Sequence, residues 1–122
     1  ARFLGLSNLL TGRIVATSPL RAQTDLGVFE GAWDGPERPG LGSPLTLLFR
    51  PGGARLGPAN GEVNHLRGVI ADSVFRGDGF RVNLRAANGQ EFSFSLDRAL
   101  EPGQEVTLTL DDGSVQFLRE AG

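Results

Sequence analysis

The clearest pattern along this sequence is an alternation of hydrophobic and polar residues with a period of two, which is typical of half-buried β-strands. Two successive runs show it, and their apolar positions are Phe80, Val82, Leu84, Phe92, Phe94 and Leu96. Polar residues fill the positions between them. We therefore predict two neighbouring strands that each bury one face.

The loop between these two strands decides which residues face each other. A two-residue Asn88-Gly89 loop would set Leu84 opposite Ser93 and make the buried face half polar. A three-residue loop over 87–89, with its glycine in the left-handed conformation, sets Leu84 opposite Phe92 instead. Because burial of one face fixes register, we predict the three-residue loop. The same register pairs Val82 with Phe94 and Phe80 with Leu96.

The last part of the chain shows the same alternation, at Val106, Leu108 and Leu110. The dipeptide Asp112-Gly113 favours a two-residue type I′ turn. Such a turn would pair Leu110 with Val115 and Leu108 with Phe117. Helical periodicity is scarce, so the predicted class is all-β.

The sequence also resembles itself. The pattern N-x-L-x-G-x-I occurs twice at an offset of 56, at Asn8, Leu10, Gly12, Ile14 and at Asn64, Leu66, Gly68, Ile70. A second match, at an offset of 61, relates Leu47, Phe49, Gly52, Ala54, Leu56 to Leu108, Leu110, Gly113, Val115, Phe117. Two halves of about 60 residues suggest paired five-stranded barrels of the OB type. One half buries too little surface to be stable alone, so we expect the halves to share strands or a core.

Composition excludes several classes of chemistry. The 122 residues hold no Cys and one His, His65, so neither a disulfide scaffold nor a thiolate metal site is available. All 12 basic side chains are Arg, which leaves no lysine for a P-loop. No apolar run approaches the roughly 20 residues of a membrane span. The chain has no Met, so we expect Ala1 to follow a cut and the chain to be an excised soluble domain.

Three segments resemble one known family. The opening ARFLGLSNLLTGRI, through Phe3, Leu4, Gly5 and Asn8, is similar to the junction between the nucleotide-binding and C-terminal regulatory domains of bacterial ABC importer ATPases. The segment LTLLFRPGGARL resembles the family's "LLIRPE" strand, with Arg50 and Pro51 in place and Gly52 where an acidic residue is usual. VIADSVFRGDGFRVNL, with Phe75 and Gly77, resembles a strand pair of the second repeat.

The resemblance implies the tandem OB-like module called TOBE, a duplicated barrel of two intertwined five-stranded halves. Its expected organisation is a linker-helix tail at 1–7, a first half at 8–57 and a second half at 62–120. The implied function is a non-catalytic regulatory and dimerisation domain that supports ATP-driven solute uptake. ATP and Mg would belong to a parent ATPase, and this chain would hold no cofactor or metal.

The same resemblance implies partners and a place in the cell. The parent ATPase would be a homodimer that contacts membrane permease subunits, cytoplasmic and peripheral on the inner face of the membrane. A small-ligand effector remains open, and the alternative function is a free-standing module that binds a small ligand such as an oxyanion. Backbone N–H groups of glycine turns, as at Gly52-Gly53 and 77–79, would then hold the anion.

Few residues are candidates for a site. Trp33, the only Trp, lies beside the Pro/Gly loop 34–42, and is interpreted either as a loop anchor on the barrel or as a subunit contact. Asp111-Asp112-Gly113-Ser114 has the order of a turn, not of an aspartic protease, and His65 lacks a nearby nucleophile pattern.

Nucleic-acid binding is disfavoured because the net charge is −2. Arg67, Arg76, Arg81 and Arg85 cluster in sequence, but Asp72 and Asp78 lie among them. Six of the eight phenylalanines are predicted to lie in the core rather than on a stacking surface: Phe49, Phe75, Phe80, Phe92, Phe94 and Phe117.

Overall fold

The computed structural model describes residues 8–57 and 63–119, and these residues form eleven strands and two short 3-10 turns. The strands, β1 to β11 in chain order, are Leu9–Thr17, Leu20–Thr24, Gly27–Glu30, Ala32–Trp33, Pro44–Phe49, Ala54–Leu56, His65–Phe75, Phe80–Ala86, Glu91–Leu96, Glu105–Leu110 and Val115–Arg119. The 3-10 turns, Pro51–Gly53 and Asp112–Ser114, precede β6 and β11. The linker-helix tail predicted at 1–7 lies outside the described residues.

The strands form two curled sheets. The first has the order β3-β2-β1-β5-β11-β4 and the second the order β6-β10-β7-β8-β9. Each sheet thus combines strands from both sequence halves, and the prediction of an all-β, duplicated OB-like fold with intertwined halves is confirmed. The boundaries 8–57 and 62–120 themselves stay predictions. Within the described residues, no helix is long and apolar enough to cross a bilayer.

The hairpin of β8 and β9 has the predicted register. Leu84 faces Phe92, Val82 faces Phe94 and Phe80 faces Leu96. The Ala86 N–H donates to the Gln90 carbonyl at 2.8 Å, so the loop closed by this pair has three residues, 87–89, and Gly89 has a φ of 89°, which L side chains rarely adopt. Burial of one apolar face therefore determined the pairing, as the alternation predicted.

The turn predicted at Asp112-Gly113 is wrong. These residues begin a 3-10 turn that carries β11 away from β10 and into the first sheet. There Val115 faces Phe49 and Phe117 faces Leu47. β6 makes the reciprocal move, because it leaves β5 and pairs with β10 in the second sheet. The last strand of each half is thus exchanged between the sheets. The exchange buries the same apolar side chains that a local hairpin would have buried.

The internal repeat is visible in the backbone as well as in the sequence. Pairing in the first hairpin shifts by one residue between Ile14 and Ala16, and pairing in the second shifts between Ile70 and Asp72, at the same offset of 56. A Cβ on Gly68 would lie 2.4 Å from the Arg85 carbonyl oxygen, and one on Gly12 would meet a carbonyl in the same way. The repeated glycine is therefore required where neighbouring strands approach closely.

The two repeated asparagines fasten each half to the other. The amide of Asn8 donates to the carbonyls of Phe49 (3.0 Å) and Ser93 (2.7 Å), and its Oδ1 accepts the Ser93 N–H (2.9 Å). Asn64, in the second half, reaches the first half in the same way, because its Oδ1 accepts the N–H of Glu30 at 2.8 Å. Both asparagines are buried, and each hydrogen-bonds the other half, Asn8 at the Ser93 backbone and Asn64 at the Glu30 N–H, as well as a group of its own half, the Phe49 carbonyl and the Asp112 side chain.

A single hydrophobic core lies between the sheets. Phe49 bridges them, with its ring centroid 5.0 Å from that of Phe29 and 5.5 Å from that of Phe92. Such tilted ring pairs contribute beyond their buried area. The core prediction was wrong for Phe75, which is 63% exposed at the end of β7 and contacts only the edge of Phe80 among the aromatic rings described.

Candidate ligand-binding site around Trp33

Trp33 lies on the two-residue strand β4, at one edge of the first sheet. β4 runs parallel to β11, with Ala32 beside Gln116 and Trp33 beside Phe117. The indole ring is half-buried against the core and is covered by Gly35, where a Cβ would come within 2.5 Å of the ring. Trp33 is therefore anchored on the barrel by β4 and by the glycine that follows it, and the subunit contact predicted for it stays a prediction.

Two open cavities meet at this tryptophan. One of about 280 Å³ has Arg38 and Ser43 in its wall, and one of about 490 Å³ has Arg50 in its wall. Trp33 and Arg119 line both. The Arg119 guanidinium carbon lies 5.9 Å from the centroid of the Trp33 ring, within the range of a cation–π contact.

Three arginines of this region, Arg38, Arg50 and Arg119, have no ion-pair partner among the described residues. Arg38 donates to the Thr17 carbonyl at 2.6 Å, and Arg50 donates to the Gln116 side chain at 3.3 Å. Ion pairs within 8–57 and 63–119 use other arginines, namely Arg21, Arg55, Arg85 and Arg98. Glu37 in the smaller cavity and Asp34 in the larger one offset part of this charge. Guanidinium groups present planar donor pairs that match the oxygens of a tetrahedral anion.

The Trp33 indole N–H is shielded from solvent and has no acceptor among the described residues. A buried donor without an acceptor costs about 1–3 kcal/mol. Gly35 covers this nitrogen, so the N–H does not open into either cavity, and the feature that an anion would complement is the set of guanidinium groups without an ion-pair partner in the described part of the chain.

The two glycine turns considered for anion binding make contacts within the fold. The N–H of Gly53 points to the Arg50 carbonyl at 3.4 Å, and its Cα packs against Ser114 of the second 3-10 turn. Gly77 and Gly79 close the exposed β7–β8 turn, where Arg76 N–H donates to the Gly79 carbonyl at 2.7 Å. The first turn therefore joins the two halves and the second ends a hairpin, and neither lies at the Trp33 cavities.

The remaining polar candidates are dispersed. Asp112 accepts from Asn64, and Ser114 Oγ donates to the Asp111 carbonyl, so these residues stabilise the second 3-10 turn. His65 lies on β7 opposite Thr109. Among the residues with described positions, no three His, Cys, Asp or Glu side chains are grouped as a metal site would require.

Two of the arginines considered for nucleic acid have side-chain partners within their own hairpin. Arg85 forms an ion pair with Glu91 at 3.0 Å, and Arg81 points to the Ser93 hydroxyl at 3.5 Å. Arg76 lies in the β7–β8 turn. The sequence pattern missed Arg38 and Arg119, because they are separated along the chain and come together only through β11. The signal available was a single Trp followed by an arginine-containing Pro/Gly loop.

Comparison with known protein families identifies the class to which this fold belongs. The TOBE domain family model matches residues 47–118, which is more than half of the chain, and the chain belongs to that family. The match spans β5 to β11 and includes both exchanged strands. No curated protein matches the sequence.

Among solved structures, the chain is similar to the cytoplasmic molybdate-binding protein ModG in a crystal form with molybdate bound. The TM-score is 0.73 at 10% sequence identity. The alignment covers 98% of this chain and 100% of that chain. At this identity the similarity establishes the shared fold, namely the duplicated OB-like TOBE architecture.

Proposed function

We propose that this TOBE domain binds a small tetrahedral oxyanion in the cavities beside Trp33. The observation that carries the proposal is the convergence of Arg38, Arg50 and Arg119 on these cavities without an ion-pair partner within the described residues. A molybdate-binding protein whose whole chain has this fold supports the ligand class. The role is binding rather than catalysis, and the expected location is the cytoplasm.

The smaller cavity fits the ligand better than the larger one. It combines Arg38, Arg119 and the Ser43 hydroxyl, so an anion between them would receive two charged donors and one neutral donor. Glu37 in the same wall disfavours multiply charged anions that carry no proton, and it offers an acceptor to a protonated one. Molybdate, sulfate and hydrogen phosphate therefore differ in the contacts that they make there.

Calorimetric titration with molybdate, sulfate and phosphate tests the proposal. We expect saturable binding of at least one anion, and a reduction in affinity of at least tenfold in Arg119→Gln and Arg38→Gln. Arg67→Gln is the matched control, because Arg67 is exposed on β7 and lines neither cavity. Absence of binding at millimolar anion, or an equal loss in the control, would contradict the proposal.

A second function is favoured by a specific observation, the similarity of the first residues and of the Arg50-Pro51 segment to ABC importer ATPases. In that case the domain is the C-terminal regulatory and dimerisation part of an ATPase that acts with permease subunits at the inner face of the membrane. Sequencing of the coding DNA upstream of Ala1 tests it. An in-frame GxxxxGK[ST] loop would support the ATPase, and a start site directly upstream would contradict it.

A further inference from the structure

An inorganic oxyanion accounts for only one of the two cavities beside Trp33. Its donors, Arg38 and the Ser43 hydroxyl, line the smaller cavity of about 280 Å³. The larger cavity, of about 490 Å³, lies in the range of about 300–1,000 Å³ in which small organic molecules bind. Trp33 and Arg119 line both cavities. A ligand that contacts these two side chains therefore extends from the smaller cavity into the larger one without leaving the protein surface.

The wall of the larger cavity is mainly apolar. Leu48 and Leu118 contribute aliphatic surface to it beside the indole ring of the tryptophan, and Leu118 on β11 is 37% exposed. Apart from the shared arginine, the charged groups of this wall are Asp34 and Arg50, which have opposite signs. Ligand cavities typically combine apolar walls with a few polar groups that fix the orientation of the ligand. This cavity therefore favours an apolar group over a second anion.

The equivalent cavity of the second half lacks the apolar wall. It has a volume of about 400 Å³ and lies between β6 and the residues at the end of β9. At the repeat offset of 61, Leu48 and Leu118 correspond to Thr109 and Gly57. The Thr109 hydroxyl donates to the Gly57 carbonyl at 2.6 Å. A polar contact and a glycine thus occupy the positions that carry leucine side chains in the first half.

The charged pair at these positions also differs between the halves. In the first half, Arg50 donates to the neutral Gln116 side chain at 3.3 Å. At the equivalent positions of the second half, Asp111 forms an ion pair with Arg55 at 3.1 Å. The second arginine of that cavity is paired with the neighbouring aspartate at 3.5 Å. Of the two equivalent cavities, the one in the first half thus joins an apolar wall to guanidinium groups that have no carboxylate partner among the described residues.

We propose that the ligand is an organic monoester of a tetrahedral oxyanion, and that its ester group is an aromatic ring. The oxyanion lies between Arg38 and Arg119 in the smaller cavity, and the ring lies in the larger cavity against Leu48 and Leu118. A monoester keeps three free oxygens, which match two guanidinium groups and the Ser43 hydroxyl. Its fourth oxygen carries the ring away from these donors. The assignment rests on the oxyanion site proposed above and adds the kind of molecule that carries the oxyanion.

Calorimetric titration of the full chain with phenyl phosphate and methyl phosphate tests the ring. The two esters have the same charged group and differ in the presence of the ring. We expect phenyl phosphate to bind at least tenfold more tightly than methyl phosphate. A tenfold preference corresponds to about 1.4 kcal/mol, which burial of about 60 Å² of apolar surface supplies.

Leu118→Ser tests the apolar wall. We expect the preference for phenyl phosphate over methyl phosphate to fall at least threefold, because the serine offers less apolar surface to the ring. Val69→Ser is the matched control, since Val69 is also 37% exposed but lies on β7 in the second sheet and lines neither cavity. In the control, the preference stays within twofold of the parent. An equal fall in both variants would overturn the proposed contact.

Methyl resonances locate the ring in the bound state. An aromatic ring shifts the resonances of methyl groups that lie against its face. We therefore expect phenyl phosphate to shift the methyl resonances of Leu48 and Leu118 in 13C spectra, and methyl phosphate at equal saturation to leave them in place. Leu56 and Leu96 line the equivalent cavity of the second half and are the internal control, so their resonances stay unchanged.

Failure of the oxyanion site and failure of the ring assignment give different results. If molybdate, sulfate, phosphate and both esters all fail to bind at millimolar concentration, the proposed function is contradicted, and the ring assignment falls with it. If an inorganic anion binds but phenyl phosphate is favoured less than tenfold over methyl phosphate, the ring assignment alone is overturned. Shifts at Leu56 and Leu96 without shifts at Leu48 and Leu118 also overturn it, because the ring would then lie in the second half.

Discussion

Replacement of Asn8 by alanine tests the interlock between the two halves. The substitution removes three side-chain hydrogen bonds, to the Phe49 carbonyl and to both backbone groups of Ser93. Phe49 and Ser93 are buried, at 0% and 8% exposure, so three backbone groups lose their side-chain partner away from water. Each such group costs about 1–3 kcal/mol, and a total near 3 kcal/mol is expected because the Phe49 carbonyl can relax and one water can enter.

The assay is thermal unfolding with urea titration as the second probe. An unfolding entropy of about 2.1 cal/mol/K per residue gives about 0.26 kcal/mol/K for this chain, so 3 kcal/mol lowers Tm by about 12 °C. Asn88→Ala is the control, because both hydrogen bonds of Asn88, which join it to Gln90 in the β8–β9 loop, are exposed to solvent. We expect the control to change Tm by less than about 2 °C, since surface substitutions mostly lie within about 0.5 kcal/mol.

A decrease of less than about 4 °C in Asn8→Ala would refute the reasoning, because the free energy would then be within about 1 kcal/mol of the parent. An unchanged slope with urea concentration shows that the loss belongs to the folded state. A decreased slope would show instead that the halves unfold separately, and that Asn8 couples them.

Three further predictions concern close packing, backbone conformation and exposure. Gly53→Ala should destabilise the fold by more than about 2 kcal/mol, because its Cβ would lie 2.1 Å from that of Ser114, whereas Gly52→Ala meets nothing and should be neutral; urea unfolding of the pair decides this. Gly89→Val should lower the free energy of unfolding by about 2 kcal/mol, because φ is 89° at this position. Gly40→Val is the control, since Gly40 has no positive φ. An equal loss in both variants by urea unfolding would show that the loop conformation is not the cause. Phe75→Ser should leave Tm nearly unchanged, because Phe75 is exposed. Phe94→Ala should lower the free energy of unfolding by about 3–5 kcal/mol, because Phe94 is buried. Similar losses of stability in both variants by calorimetry would place Phe75 in the core.

The elements that could be predicted from the sequence are those decided by local pattern. The β8–β9 register follows from alternation and a glycine at a fixed offset, both of which act within one hairpin. The exchange of β6 and β11 could not be predicted in this way. A local turn at Asp112-Gly113 and a pairing of Val115 with Phe49 bury the same apolar side chains, so only the three-dimensional closure of both barrels separates them.

The site around Trp33 could not be predicted from the sequence for the same reason. β4 is two residues long and has no period to detect, and its partner β11 comes from the other half of the sequence. Arg119 reaches Trp33 through that pairing. Phe75 was placed in the core because it continues an alternating strand, but the strand extends beyond the sheet that would cover it.

The exchanged strands also determine the order in which the molecule can be completed during synthesis. β5 emerges from the ribosome about 65 residues before β11, yet its second edge is paired only when β11 lies beside it. The first sheet must therefore wait, with an edge open to other chains, until nearly the whole domain has been translated. Contacts between residues so distant in sequence form slowly, and unpaired edges promote aggregation in the interval. Completion of the first sheet is thus a late step of folding, and a nascent chain that ends before β11 exposes the β5 edge that β11 would cover.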